Sequence, residues 1–260
     1  SSLDEVNSIF ELAKKNNKKI SLRCGGRSYG DNTLNKNNII LNYFSNNKII
    51  HFDENIGIIE TCGSANLIDI LKYSIPRGWI LHVCPASQFI TVAGAISNNV
   101  HGKNCTNKGY FGDYIKEIKI LTPEQGLMAC SEFENSELFY STISGLGVFG
   151  VITKVKIQLR KIITTNIITK INYVLNIDEA VEKIDNLTND YEYNIGSLNF
   201  TRYNNNLISG KIYSSNFSKD TILNENNNSA NSLIYLINYL LLFNRMSVFT
   251  NIIEYLFSKI

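Results

Sequence analysis

The sequence predicts an α+β fold, and three observations carry that prediction. A segment with helical spacing opens the chain. Short apolar runs that read as strands then recur up to residue 159, separated by glycine-bearing loops. After about residue 160 the composition shifts to strand-like stretches, one helix and an Asn-rich tract. With 260 residues and 44% hydrophobic content, the chain can bury a real core in one large domain or two modest ones. The shift divides it into expected domains at residues 1–160 and 161–260.

Leu3, Val6, Ile9, Phe10 and Ala13 fall on one helical face, with Asp4 and Glu5 in the first turn, where carboxylates favour the helix dipole. Residues 20–23 form a strand that runs into the first glycine loop. Further strands are expected at 39–41, 48–52 and 56–61. A helix over 66–74 stops before Pro76, and a short one is expected over 91–98. Strands at 115–121 and 127–131 flank Thr122-Pro123-Glu124-Gln125-Gly126, a hairpin turn. After a short helix at 136–140, Val151, Thr153, Val155, Ile157 and Leu159 alternate with polar residues, the period of a half-exposed strand. Beyond it come a strand-like run at 162–175, a helix at 178–187, strands at 195–200 and 207–213, a polar loop at 214–231 and helix from 232 to 260.

A net charge of +2 gives nucleic-acid binding no support. Lys14, Lys15, Lys18 and Lys19 read as a solvated helix end. The five cysteines (Cys24, Cys62, Cys84, Cys105 and Cys130) include no CxxC pair, so thiols in a reducing, cytoplasmic setting are expected. The apolar run at 233–243 falls well short of the roughly 20 residues a span needs, which leaves only peripheral membrane contact open.

Two loops carry the chemistry. The first reads Arg23-Cys24-Gly25-Gly26-Arg27-Ser28-Tyr29-Gly30-Asp31. Its glycines permit close backbone approach and convergent N–H groups, Ser28 adds a hydroxyl, and Arg27 offsets anionic charge. Alone, it reads equally well as a tight surface turn. The second runs from Pro85 and Ser87 through Thr91-Val92-Ala93-Gly94-Ala95-Ile96 to His101-Gly102-Lys103-Asn104. Amides near Gly26 and Gly94 are expected to converge on one diphosphate. A lone histidine is usually structural, but beside such a loop His101 becomes a site candidate. His101 and Cys105 lack a second ligand pair, so no metal site is expected. Gly145-Leu146-Gly147-Val148-Phe149-Gly150 matches GxGxxG, yet a strand follows it and no acid lies near Lys170, which excludes a Rossmann NAD site. A glycine turn against a cofactor or a neighbouring strand remains for that stretch.

Taken together, Gly26-Arg27-Ser28-Tyr29-Gly30-Asp31, Thr91-Val92-Ala93-Gly94-Ala95-Ile96 and His101-Gly102-Lys103-Asn104 resemble the FAD-binding domain of the vanillyl-alcohol-oxidase-type (PCMH-type) flavoproteins. The likeness is strongest to the branch that contains decaprenylphosphoryl-ribose oxidases and their bacterial relatives. It implies two α/β subdomains gripping FAD, followed by part of an antiparallel-sheet substrate domain. By the resemblance, Gly25, Gly26, Arg27, Ser28, Tyr29, Gly30 and Asp31 hold the pyrophosphate. Ser87, Gly94, Ser97 and Asn98 line the cofactor, His101 and Gly102 lie near the flavin, and Val151 and Ile152 contact it through backbone groups. Covalent members carry a histidine where this chain has Arg27, so the resemblance implies non-covalent FAD. The implied reaction is oxidation of a secondary alcohol of a small-molecule or lipid-linked sugar, such as a polyprenyl-phosphate-linked pentose, with hydride passing to flavin N5. His101 and Lys103 are the catalytic candidates, a partner reductase is an expected partner, and oxygen, a quinone or another protein are the open electron acceptors. Family members are longer, so the chain is expected to be a fragment, and a non-catalytic FAD-binding module is the alternative.

Overall fold

The structure is a computed structural model that describes residues 2–31, 33–45, 48–199 and 209–219. The chain forms two compact units. Ser1–Gly102 with Tyr110–Lys161 makes the first; Lys103–Gly109 with the described residues from Ile162 onward makes the second.

In chain order the elements are α1 (Leu3–Lys15), β1 (Ile20–Arg23), β2 (Ile39–Asn42), β3 (Ile49–Asp53), β4 (Ile58–Cys62), α2 (Leu67–Ser74), β5 (Trp79–Leu81) and α3 (Val92–Ser97). They continue with α4 (Cys105–Lys108), β6 (Ile115–Thr122), β7 (Gly126–Cys130), α5 (Ser136–Thr142) and β8 (Val151–Lys161). The remainder are β9 (Ile167–Val174), α6 (Ile177–Thr188), β10 (Tyr193–Asn199) and β11 (Ser209–Phe217).

The first unit has a small and a large layer. α1 starts on a capping box: Ser2 Oγ accepts from the Glu5 amide, and the Glu5 carboxylate accepts from the Ser2 amide. Its Val6 and Phe10 pack on Leu41 and Tyr43, with Ile20 and Leu22 alongside, which seats the helix on the parallel pair β1–β2. Leu121 and Val151 belong to the same cluster and join this layer to the large sheet. That sheet runs β3-β4-β8-β6-β7, antiparallel throughout, and β5 pairs with the far end of β8. β8 is the hub, because its alternating pattern buries Val151, Thr153, Val155, Ile157 and Leu159 while Lys154 is exposed.

Most expected elements of this unit stand within two residues of their predicted ends. Residues 56 and 57 belong to a turn instead of a strand, because Gly57 adopts φ +70° and the space beside it is filled by the Trp79 ring. β5 and α4 escaped the sequence reading, being only 3 and 4 residues long.

The second unit is a three-stranded antiparallel sheet, β10-β11-β9, with α6 on one face. Val174, Ala180 and Ile212 form its buried centre, flanked by Ile184, Leu187 and Leu198. Asn176 caps α6 by accepting from the Glu179 amide at 2.8 Å. Two expectations are corrected here. The strand expected from residue 162 begins at Ile167. The polar loop expected from 214 is strand as far as Phe217, where Ser214 and Ser215 are buried in β11 opposite Lys170 and Thr169. Ser215 and Thr169 share a 2.9 Å hydroxyl hydrogen bond, so ladder pairing outweighs the polar composition. The rest of that loop and the helix expected over 232–260 lie outside the described residues. Among the described residues no helix is long and apolar enough to cross a membrane.

Candidate functional site

β1 delivers the first loop at an exposed edge of the small layer. Gly26 and Gly30 take φ of +58° and +68°, a region that disfavours side chains. The Arg23 guanidinium folds back over the loop, with nitrogens 3.0–3.1 Å from where a Gly26 Cβ would stand. Among the described residues, no amide from 25–31 donates to a backbone carbonyl. Backbone donors with no carbonyl partner among the described residues, beside the side chains of Arg23 and Arg27, form the kind of concavity that receives phosphate oxygens. Ser28, Tyr29 and Asp31 are exposed on the same loop.

The second loop lies directly against the first. A Cβ on Gly25 would meet the Phe89 carbonyl at 3.3 Å and Thr91 Cγ2 at 3.4 Å, so glycine is what permits the approach. Arg27 sits over the Phe89 ring at 5.6 Å. Cys24 and Thr91 share a side-chain hydrogen bond; burial raises the thiol's pKa above its usual value, an effect the Thr91 bond opposes. Thr91 also caps α3, accepting from the Gly94 amide at 3.2 Å.

The amides at the start of α3 are already engaged. Val92 donates to the Ala65 carbonyl and Ala93 to that of Gly63, each at 2.8 Å. The expected convergence of amides from both loops is therefore corrected in one respect. The loops do meet, but the first amides of α3 are already bonded within the protein, so the Gly94 region contributes a wall beside the donors of the first loop. Ser87 Oγ accepts from the Phe89 amide at 3.4 Å, and Asn98 Nδ2 donates to the Gly94 carbonyl at 2.9 Å, so both side chains help to shape this wall.

A third segment completes it. The Ser144 and Leu146 amides donate to the carbonyls of Ile96 and Ser97 at 3.0 and 2.9 Å, capping the end of α3. This turn is strained: Ser144 and Leu146 hold φ of +65° and +52°, followed by Gly147 at +79°. Gly147 faces Leu22 of β1, and Leu146 and Val148 are 71% and 77% exposed. The GxGxxG stretch, followed by strand β8 as expected, thus adjoins both the first loop's strand and α3. Its glycine spacing ahead of a strand was the available signal. Val151 and Ile152 follow, buried in the ladder with β6, with the Ile152 carbonyl facing Gly63.

His101 is exposed and Gly102 buried. His101 Nδ1 lies 3.3 Å from the Gly102 carbonyl, and an isolated bridge pairs His101 with Tyr110. Lys103 falls in the second compact unit, unlike His101, where the sequence reading ran the first domain unbroken to 160; the Lys103 carbonyl accepts from the Asn194 amide at 3.1 Å.

A donor loop of this length, with the half-exposed Phe89 ring beside Arg27, suits a dinucleotide bearing a flat ring better than a lone phosphate. On an α+β scaffold this is PCMH-type flavoprotein architecture. The sequence agrees: the FAD binding domain family matches residues 1–131, and the chain belongs to that family of FAD-binding oxidoreductases. The chain is similar to the decaprenylphosphoryl-beta-D-ribose oxidase of Mycolicibacterium smegmatis, with 27% identity over 177 residues, 68% of this chain and 38% of that one. A protein named as a D-arabinono-1,4-lactone oxidase from Neurospora crassa is 27% identical over 154 residues, 59% of this chain and 27% of that one. Cytokinin dehydrogenase 5 of Arabidopsis thaliana is 30% identical over 101 residues, 39% of this chain and 19% of that one. The chain spans well under half the length of these relatives.

Proposed function

We infer that residues 1–160 hold FAD without a covalent bond and that 161–260 contribute to a substrate domain, in an enzyme that oxidises a secondary alcohol of a sugar. The substrate class proposed is a lipid-linked pentose, in keeping with the name of the Mycolicibacterium relative. The observation that carries this reading is the close approach of Gly25 to the Phe89 carbonyl and Thr91, which sets the first loop, whose amides donate to no backbone carbonyl among the described residues, against the start of α3.

The fit to FAD is chemical. The amides of Gly25, Gly26, Arg27, Ser28, Tyr29, Gly30 and Asp31 supply donors for the diphosphate, and Arg23 and Arg27 offset its charge. Ser87, Gly94, Ser97, Asn98, Gly102, Val151 and Ile152 shape the rest of the seat. When bound, FAD supplies a hydride acceptor at N5. This chain orients substrate and manages charge. With Nδ1 protonated toward the Gly102 carbonyl, His101 keeps Nε2 as an acceptor for a hydroxyl proton. Lys103 stabilises the negative charge that develops during transfer. Oxygen, a quinone or another protein would serve as the electron acceptor.

The test is an absorbance spectrum of the purified chain before and after acid unfolding, followed by anaerobic addition of candidate substrates. Expected are flavin bands that stay in solution when the protein precipitates, and bleaching by a pentosyl alcohol. Yellow colour in the pellet overturns non-covalent attachment, and absence of flavin after FAD soaking overturns the cofactor reading. The likeness to cytokinin dehydrogenase favours a second arm, in which a cytokinin bleaches the flavin and the sugar does not. Bound flavin that neither compound bleaches leaves an FAD-holding module without catalysis.

A further inference from the structure

We propose that Glu192 is a positioning residue, holding Asn104 so that Lys103 takes its orientation from the connection between α6 and β10. The inference rests on the reading of Lys103 as a charge-stabilising group.

Asn104 is only 2% exposed, and its Nδ2 donates to Glu192 Oε1 at 3.2 Å. One residue earlier, the Lys103 carbonyl accepts from the Asn194 amide at 3.1 Å. Asn107 Nδ2 donates to the carbonyls of Thr188 and Tyr191 at 2.8 and 3.0 Å, at the end of α6. The segment Lys103–Gly109 is thus tied at three residues to the stretch 188–194. That stretch is in turn fixed to the sheet, because Asn216 of β11 accepts from the Glu192 amide and donates to the Asp190 carbonyl, each at 2.7 Å.

A buried side-chain amide needs a partner, and a carboxylate is the strongest acceptor available to it. The Glu192 bond therefore fixes the Asn104 rotamer and, with it, the peptide joining Lys103 to Asn104. Because the partners lie 88 residues apart, the pairing had no local signature in sequence.

The test uses the FAD-loaded chain and the variants Glu192→Ala, Glu192→Gln and Lys103→Met. Two quantities are read: amide exchange across 103–109 and the midpoint potential of the bound flavin. Glu192→Ala is expected to speed exchange in the segment by about tenfold or more while the β9–β11 amides keep their rates. It should also move the potential in the negative direction, as Lys103→Met does. Glu192→Gln keeps an acceptor oxygen and should restore both. Unchanged exchange in Glu192→Ala overturns the proposal, as does loosening spread across the whole β9–β11 sheet. If Lys103→Met leaves the potential unmoved while Glu192→Ala still loosens the segment alone, the charge-stabilising reading of Lys103 falls and the anchoring by Glu192 stands.

Discussion

Gly63 shows how tightly single residues constrain this fold. Its amide donates to the Thr153 carbonyl at 2.9 Å, its carbonyl accepts from Ala93, and a Cβ there would overlap the Ile152 carbonyl. That carbonyl is backbone, so it cannot swing aside. Gly63→Ala is expected to cost about 3 kcal/mol or more, read as a lowered urea midpoint. Cys130 gives a pH prediction. Burial, followed by the nearby Glu117 and Glu134 carboxylates, pushes its thiol from 9.0 up to about 11. An unfolded thiol ionises first, so its contribution to stability is complete below pH 9 and drains away between 9 and 11. Cys130→Ala should flatten the fall in melting temperature over that window; an unchanged slope would refute the assignment. Among site residues, the first-loop glycines were legible because positive φ and close approach select glycine. Arg23 was not picked out, since its fold over Gly26 depends on the turn and leaves no trace in the string of letters.

At the scale of elements, α3 has only 6 residues and depends on its neighbours for both ends. Thr91 joins its cap to Cys24 of the first loop. Thr91→Val removes both hydrogen bonds, and a loss of about 1 kcal/mol is expected together with weaker FAD binding; Thr91→Ser should keep most of each. Parallel urea and flavin titrations check this, and equal behaviour of the two variants would sink it. Strand and helix positions in the first unit could be read because apolar period and turn residues agreed, as at Thr122 to Gly126. β11 defeated the same reasoning: Ser214, Ser215 and Asn216 carry no apolar signal, and pairing with Lys170, Thr169 and Ile168 of β9, with β10 on the other side of Ser214 and Ser215, makes them strand. The strained turn around Leu146 was visible as glycines but not as the cap of α3, which depends on carbonyls about 50 residues upstream.

For the whole molecule, FAD is expected to act on one unit. At a hundredfold excess over its Kd it should add about 2.7 kcal/mol to the first unit's stability. Exchange protection should rise at 23–31 and 144–150 and stay level in β9–β11, and uniform protection would argue against a site on these loops. The architecture has another consequence, in the order of synthesis. β4 and β6 each bond β8 on one side, yet β8 ends at residue 161 and they lie at 58–62 and 115–122. While the ribosome is still short of Val151, β3–β4 and β6–β7 have only each other's hairpin partners, and each keeps an open edge that another nascent chain can join. Emergence of a single strand then closes both edges at once. Translation speed through codons 151–161, and chaperone occupancy just before them, should therefore govern how much of this protein reaches its native state.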